Sequence, residues 1–241
     1  MTRNTNARIA GFTFLFYIAV GITSLIVFGR ATSGEGGAIA AKLANIAQHA
    51  TEMRVYAVLI LLTSFSALVL GVTLYAITRE QDPDLAMLGM GCRLIEAVNN
   101  ATSISGTLGL VWLATAAEPK TLDSGAVHAL GAFSLKDSGA VSATFFAVGS
   151  TLFSWLLLRG RMVPVSLARL GVFASVLLVV FLPLQLGAGA ELFGGVAGQL
   201  VWLPMLVFEV WLALWFLIKG VAPLRSESRP SGVGGATQPV G

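Results

Sequence analysis

Cys92-Arg93-Leu94-Ile95-Glu96-Ala97-Val98-Asn99-Asn100 decides how this chain is read. The nonapeptide lies inside a long apolar run, about residues 85–112, with the length of a membrane-crossing helix. An arginine, a glutamate and two asparagines are costly to hold in hydrocarbon, so function is sought there first. Arg93, Glu96, Asn100, Ser103 and Thr107 recur every three or four residues, which places them in one polar stripe of a helix. Such a stripe has to face other helices or a water-filled cavity rather than lipid.

The composition around it supports the same reading. Of 241 residues, 56% are hydrophobic and 11% charged, against about 25% charged in soluble domains. Mean hydropathy is +0.82. Too few charges exist to cover a water-facing surface, so the lipid bilayer is the expected surroundings. The net charge of +3 is then loop charge. No basic cluster with interleaved aromatics occurs, and no nucleic-acid partner is expected. Cys92 is the single cysteine, so neither an intrachain disulfide nor a cysteine metal site is available.

On either side of residues 85–112, apolar runs of spanning length cover about 9–28, 54–78, 138–158, 165–187 and 199–219. The expected fold is an all-α, polytopic membrane helix bundle of about six transmembrane helices, filling residues 1–221. The Ser/Gly/Pro-rich residues 222–241 are expected to form a disordered cytoplasmic tail. Arg3 and Arg8 ahead of the first run resemble a signal peptide, but the run exceeds the roughly 7–15 apolar residues of one and no Ala-x-Ala site follows. It is read as a retained helix. Tyr17 falls in mid-span and needs a partner for its hydroxyl from a neighbouring helix.

Shorter signals fill the connections. Ile39, Leu43, Ile46, Ala50 and Met53 recur at helical spacing, which predicts a short amphipathic helix lying on the membrane surface, with His49 on its wet side. Asp82-Pro83-Asp84 reads as a helix start, with Asp82 as N-cap and Pro83 in the first helical position. Asp123 and Asp137 open two similar pentapeptides and read as further N-caps. Pro183 should bend the fifth span, and Pro204 should kink the sixth one turn ahead of Glu209.

Basic residues in alternate connections fix an expected orientation. With the N-terminus inside, the inner segments hold Arg3, Arg8, Arg79, Arg159, Arg161, Lys219, Arg225 and Arg229; the outer ones hold Arg30, Lys42, Arg54, Lys120 and Lys136. Both termini are therefore expected in the cytoplasm. Trp112 and Trp202 would mark the outer interface, Trp155 and Trp215 the inner one.

Glu96 lies about eleven residues into its span, a rise of ~16 Å, near the middle of a core of ~30 Å. Glu209, a lone acid in the last span, falls at similar depth from the opposite side. The two meet across the bundle only if their helices are brought together. One reading is structural: Arg93 holds Glu96 on its own helix and Glu209 across the bundle, fixing register at a desolvation cost. The other is a mid-membrane ligand site of Arg93, Glu96, Asn99, Asn100 and Glu209, with Glu96 and Glu209 as candidate catalytic acids.

Three stretches, Arg8-Ile9-Ala10-Gly11, Arg93-Leu94-Ile95-Glu96-Ala97, and Glu209-Val210-Trp211-Leu212-Ala213-Leu214-Trp215 running to Lys219-Gly220, resemble an uncharacterised bacterial integral-membrane family, domain of unknown function 4386. The resemblance reaches to about Val221. It implies a compact bundle of about six helices in a bacterial plasma membrane, with Arg93, Glu96 and Glu209 on the family's polar positions. It implies no activity, substrate or cofactor, so it transfers no catalytic role.

Three functions compete. In the first, a small amphipathic or lipid-like ligand enters the bundle, Arg93 pairs its acidic group and Asn99 and Asn100 orient it. No inverted repeat is visible to support alternating access. In the second, an intramembrane enzyme acts on an apolar, isoprenoid-like substrate with Glu96 or Glu209 as general acid. No Asp-rich pair and no His-Glu-x-x-His occurs, so no metal and no cofactor is expected, and proton-initiated chemistry is the form this takes. In the third, the chain is a non-catalytic membrane component working with a protein partner. Its own oligomeric state is not encoded legibly.

Overall fold

A computed structural model describes residues 1–33, 38–116, 124–135, 139–188 and 195–222, and every regular element among them is helical. The helices are α1 (Arg3–Ala31), α2 (Ile39–Gln48), α3 (Ala50–Thr78), α4 (Pro83–Ala116), α5 (Ser124–Leu135), α6 (Ala140–Arg159), α7 (Val165–Ala188), α8 (Gly195–Leu200) and α9 (Leu203–Ile218). Asp123, Asp137, the first residues of the predicted span at 138, and the tail beyond residue 222 lie outside the described residues.

Five segments are long and apolar enough to cross a membrane: Arg3–Ala31, Ala50–Thr78, Gly125–Arg159, Val165–Gly187 and Gly198–Ile218. This is consistent with an integral membrane protein. α4 is not among the five although its 34 residues rise ~50 Å. Asp84, Arg93, Glu96, Asn99 and Asn100 dilute its apolar content.

The long helices close a circuit. α1 packs on α3, α3 on α4, α4 on α6, α6 on α7, α7 on α9, and α9 returns to α1. The return is tight at one end, where a Cβ on Gly11 of α1 would stand 2.7 Å from the Ala213 carbonyl oxygen of α9. Only a glycine permits that approach. The same end gathers the chain's turns. Asn4 accepts from the Val221 amide at 3.2 Å, Arg3 donates to the Ile77 carbonyl at 3.1 Å, and Arg159 pairs with Asp82 at 3.6 Å.

Local signals explain several boundaries. Asp82 caps α4 by accepting from the Leu85 amide at 3.1 Å, as its place before Pro83 predicts. Thr2 caps α1 through the Thr5 amide. Pro183 lies inside α7. Pro204 departs from expectation. It stands in the first turn of α9, where a missing N–H is harmless, and not inside a longer kinked helix.

α2 corrects another reading. Its apolar face is turned onto protein: Leu43 and Ile46 are buried with Ala31, Met53, Leu110, Val111 and Leu113. A Cβ on Gly131 of α5 would touch Leu43 at 3.0 Å. The amphipathic pattern was real, and its partners are α4 and α5. His49 ends α2 and bonds the Asn45 carbonyl oxygen through Nδ1 at 3.0 Å.

Candidate functional site

The centre of the ring is built around Arg93 on α4. Two glycines let the flanking helices close on its stem. A Cβ on Gly71 of α3 would lie 3.1 Å from the Arg93 Cβ, and one on Gly149 of α6 would lie 3.1 Å from the Cys92 Cβ. Arg93 is 1% exposed, as is Glu96. Arg93 Nη1 donates to Glu96 Oε2 at 2.8 Å, a pair formed one turn apart on the same helix. The guanidinium carbon also sits 5.0 Å from the ring centre of Phe146 and 5.6 Å from that of Tyr17. Those two rings are nearly parallel, at 6°. They supply a favourable surface to a cation removed from water.

Glu96 is fully engaged. Its second oxygen, Oε1, accepts from the Tyr17 hydroxyl of α1 at 2.8 Å. A buried carboxylate thus has a charged donor on one oxygen and a phenol on the other, the pairing that makes an internal ion tolerable. The Ser142 hydroxyl of α6 lies 2.6 Å from Asn100 Oδ1 and 3.2 Å from the Glu96 carbonyl oxygen. It ties the next turn of the α4 stripe to α6.

Glu209 is different. It sits on α9, which packs mainly on α1 and α7, and it is 5% exposed. Among the described residues it forms no ion pair, with Arg93 or with any other cation. Its Oε1 is buried with no hydrogen-bond partner among the described residues, and so are Arg93 Nε and Nη2 and Asn99 Nδ2. Unpaired buried polar atoms cost about 1–3 kcal/mol each, so each of these four atoms is a place where a further polar group would be stabilising.

Glu96, Asn100 and Glu209 share a cavity of about 370 Å³. Its volume is within the range of small-molecule sites, roughly 300–1,000 Å³. Tyr17 and Gly21 of α1, Ser142 and Phe146 of α6, and Trp202 and Met205 beside Glu209 complete most of the wall. The rim includes Ile22, Leu25 and Leu206, which are exposed on the outside of the bundle; Leu25 is 74% exposed. The cavity therefore reaches the apolar outer surface between α1 and α9, at the end opposite the Gly11 contact. A second cavity of about 630 Å³ continues along the α4 stripe. It shares Asn100 and Gly139 with the first and is lined further by Ser103, Thr107 and Ser134.

Residues 9–220 match the model of a family described as Domain of unknown function (DUF4386). The chain belongs to this family. No curated protein and no solved structure matches it.

In this DUF4386 member the expected site residues divide. Glu96, Asn100 and Glu209 come to one cavity. Arg93 stands behind it, screened by Tyr17 and Phe146, and is not part of its wall. Asn99 is half-buried and borders neither cavity. Trp202, expected at the outer interface, lines the cavity and lies 6.1 Å from the Phe146 ring centre. Tyr17, Ser142 and Phe146 were not among the expected site residues. Only Tyr17 carried a signal, a phenol in mid-span. Among the described residues no group of three or more His, Cys, Asp or Glu is placed to hold a metal ion.

Proposed function

We propose that this protein binds a small amphipathic, lipid-like ligand in the cavity between α1, α4, α6 and α9. The observation that carries the reading is Glu209: a buried acid with no cationic partner among the described residues, on the wall of an apolar cavity whose rim is itself exposed on the bundle surface. An apolar body would enter from the bilayer between α1 and α9, and its polar head would meet Glu209 and Asn100. The earlier assignment of Arg93 to a ligand's acidic group is revised, because Arg93 is enclosed by aromatic rings and bonded to Glu96.

The same reading places six spans in a bacterial plasma membrane, with α4 as the third and both termini cytoplasmic. Its support is the end of the bundle where Asn4, Arg3, Arg159 and Val221 meet, which is also the end rich in basic residues. The enzyme reading is less well supported. Both oxygens of Glu96 are already engaged, and the exposed rim gives a reactive intermediate little shelter.

Gly21 provides the test. A Cβ there would meet nothing within 4 Å, and the residue lines the cavity. Gly21→Phe should fill the site without disturbing the fold. Protein extracted from membranes should carry a small apolar adduct by native mass spectrometry, and Gly21→Phe should lose it. Equal adducts in both proteins would remove the cavity from the proposal.

A further inference from the structure

We infer that the head group taken by this cavity is cationic: the ligand is an amphiphilic amine or quaternary ammonium. The inference rests on the ligand-binding reading above and specifies its chemistry.

The ring encloses one cation, Arg93, and two carboxyl groups, Glu96 and Glu209. Arg93 is committed to Glu96 at 2.8 Å, which leaves the Glu209 carboxyl with no cationic partner among the described residues. A buried ion with no opposite charge is far costlier than a paired one, and a monocation supplies the missing partner.

The Tyr17 hydroxyl donates to Glu96, and the Ser142 hydroxyl is directed at Asn100 and the Glu96 carbonyl. The spare donors, Arg93 Nε and Nη2, belong to a residue outside the wall. The wall offers two neutral donors, Asn100 Nδ2 and Trp202 Nε1, and one group able to carry charge with no opposite partner among the described residues, the Glu209 carboxyl. A head group that donates fits it; a carboxylate or phosphate would face a like charge.

Phe146 and Trp202 stand 6.1 Å apart beside Glu209, and Phe146 already holds one guanidinium at 5.0 Å on its own side. Aromatic faces beside a carboxylate form a favourable environment for an organic cation. Exposed Ile22 and Leu25 at the rim accept the alkyl chain.

Trp202 makes the test direct, since its indole lines the cavity. The full chain in uncharged alkyl maltoside micelles is titrated at neutral pH with three brominated probes of equal chain length: an alkylamine, an alkanol and an alkanoate. Quenching of the fluorescence that disappears in Trp202→Phe is followed. The amine should quench at about ten-fold lower mole fraction than the alkanol, the worth of one charge-assisted contact, and the alkanoate should be weakest. In Glu209→Gln the amine and alkanol should become equivalent. An alkanol or alkanoate as effective as the amine in the unaltered protein overturns the cationic head group and leaves the binding reading standing. If no probe quenches the Trp202 component more than the other tryptophans, the binding reading falls instead. The three-probe comparison needs no variant of Glu209, so a misfolded Glu209→Gln leaves the test intact.

Discussion

Tyr17 on α1 and Glu96 on α4, separated by 79 positions in the chain, are joined by a hydrogen bond of 2.8 Å. This bond holds α1 to the polar stripe although the two helices have α3 between them in the ring. Tyr17→Phe keeps the ring and its stacking on Phe146 but leaves Glu96 Oε1 unpaired. We predict a loss of about 1–3 kcal/mol, measured as a lower midpoint of thermal unfolding in detergent. No change in midpoint would show that the bond contributes nothing.

Arg93 and Glu96 should behave as one unit. Arg93→Met alone strands a buried carboxylate and should cost about 3–5 kcal/mol. Adding Glu96→Gln, which still accepts from Tyr17, should recover much of that loss. The coupling is read from a double-mutant cycle on unfolding midpoints. Additive losses would mean that the two side chains do not interact as the 2.8 Å contact implies.

Two glycines on α1 should give opposite results. Gly11→Ala would drive a methyl to 2.7 Å from the Ala213 carbonyl oxygen, so α1 and α9 must part; a loss of about 1–3 kcal/mol is expected. Gly21→Ala meets open space and gains helix propensity of up to about 1 kcal/mol. Reversal of that order in thermal unfolding would contradict the close contact of the first and last helices.

The second cavity should admit water along the α4 stripe. In a Cys92→Ala background, Ser103→Cys and Thr107→Cys should react with a small membrane-impermeant thiol reagent in sealed vesicles or intact cells. Val98→Cys, on the exposed apolar side of α4, should not. Equal protection at all three positions would close the proposed route.

At the turn-bearing end, Asp82→Ala should cost about 1 kcal/mol through its capping bond to Leu85. Arg159→Ala should cost less, since its partner lies 3.6 Å away at an exposed site. Comparable losses would indicate that the ion pair, not the cap, holds this turn.

Local physics made much of this legible. The Asp82-Pro83 start follows from backbone chemistry, and the stripe of Glu96, Asn100, Ser103 and Thr107 follows from helical period alone; it runs along two adjoining cavities. What stayed hidden depends on neighbours. Nothing in the spacing around Phe146 says that its ring will lie over an arginine 53 positions away. The amphipathic face of α2 has the same pattern whether it meets lipid head groups or Leu110 and Val111, and it meets the latter. Pro204 was misplaced because an apolar run does not announce that a helix begins inside it.

The ring is sealed by its last member, and that has a bearing on biogenesis. Tyr17, Arg93 and Glu96 all leave the ribosome well before Glu209, and the cation and its first acid are neighbours on a single helix. α4 can therefore form with those two charges mutually satisfied, before α6 brings Phe146 over them. The second acid arrives only with α9, so the cavity wall that holds Glu209 and Trp202 is completed after the Arg93–Glu96 pair has formed.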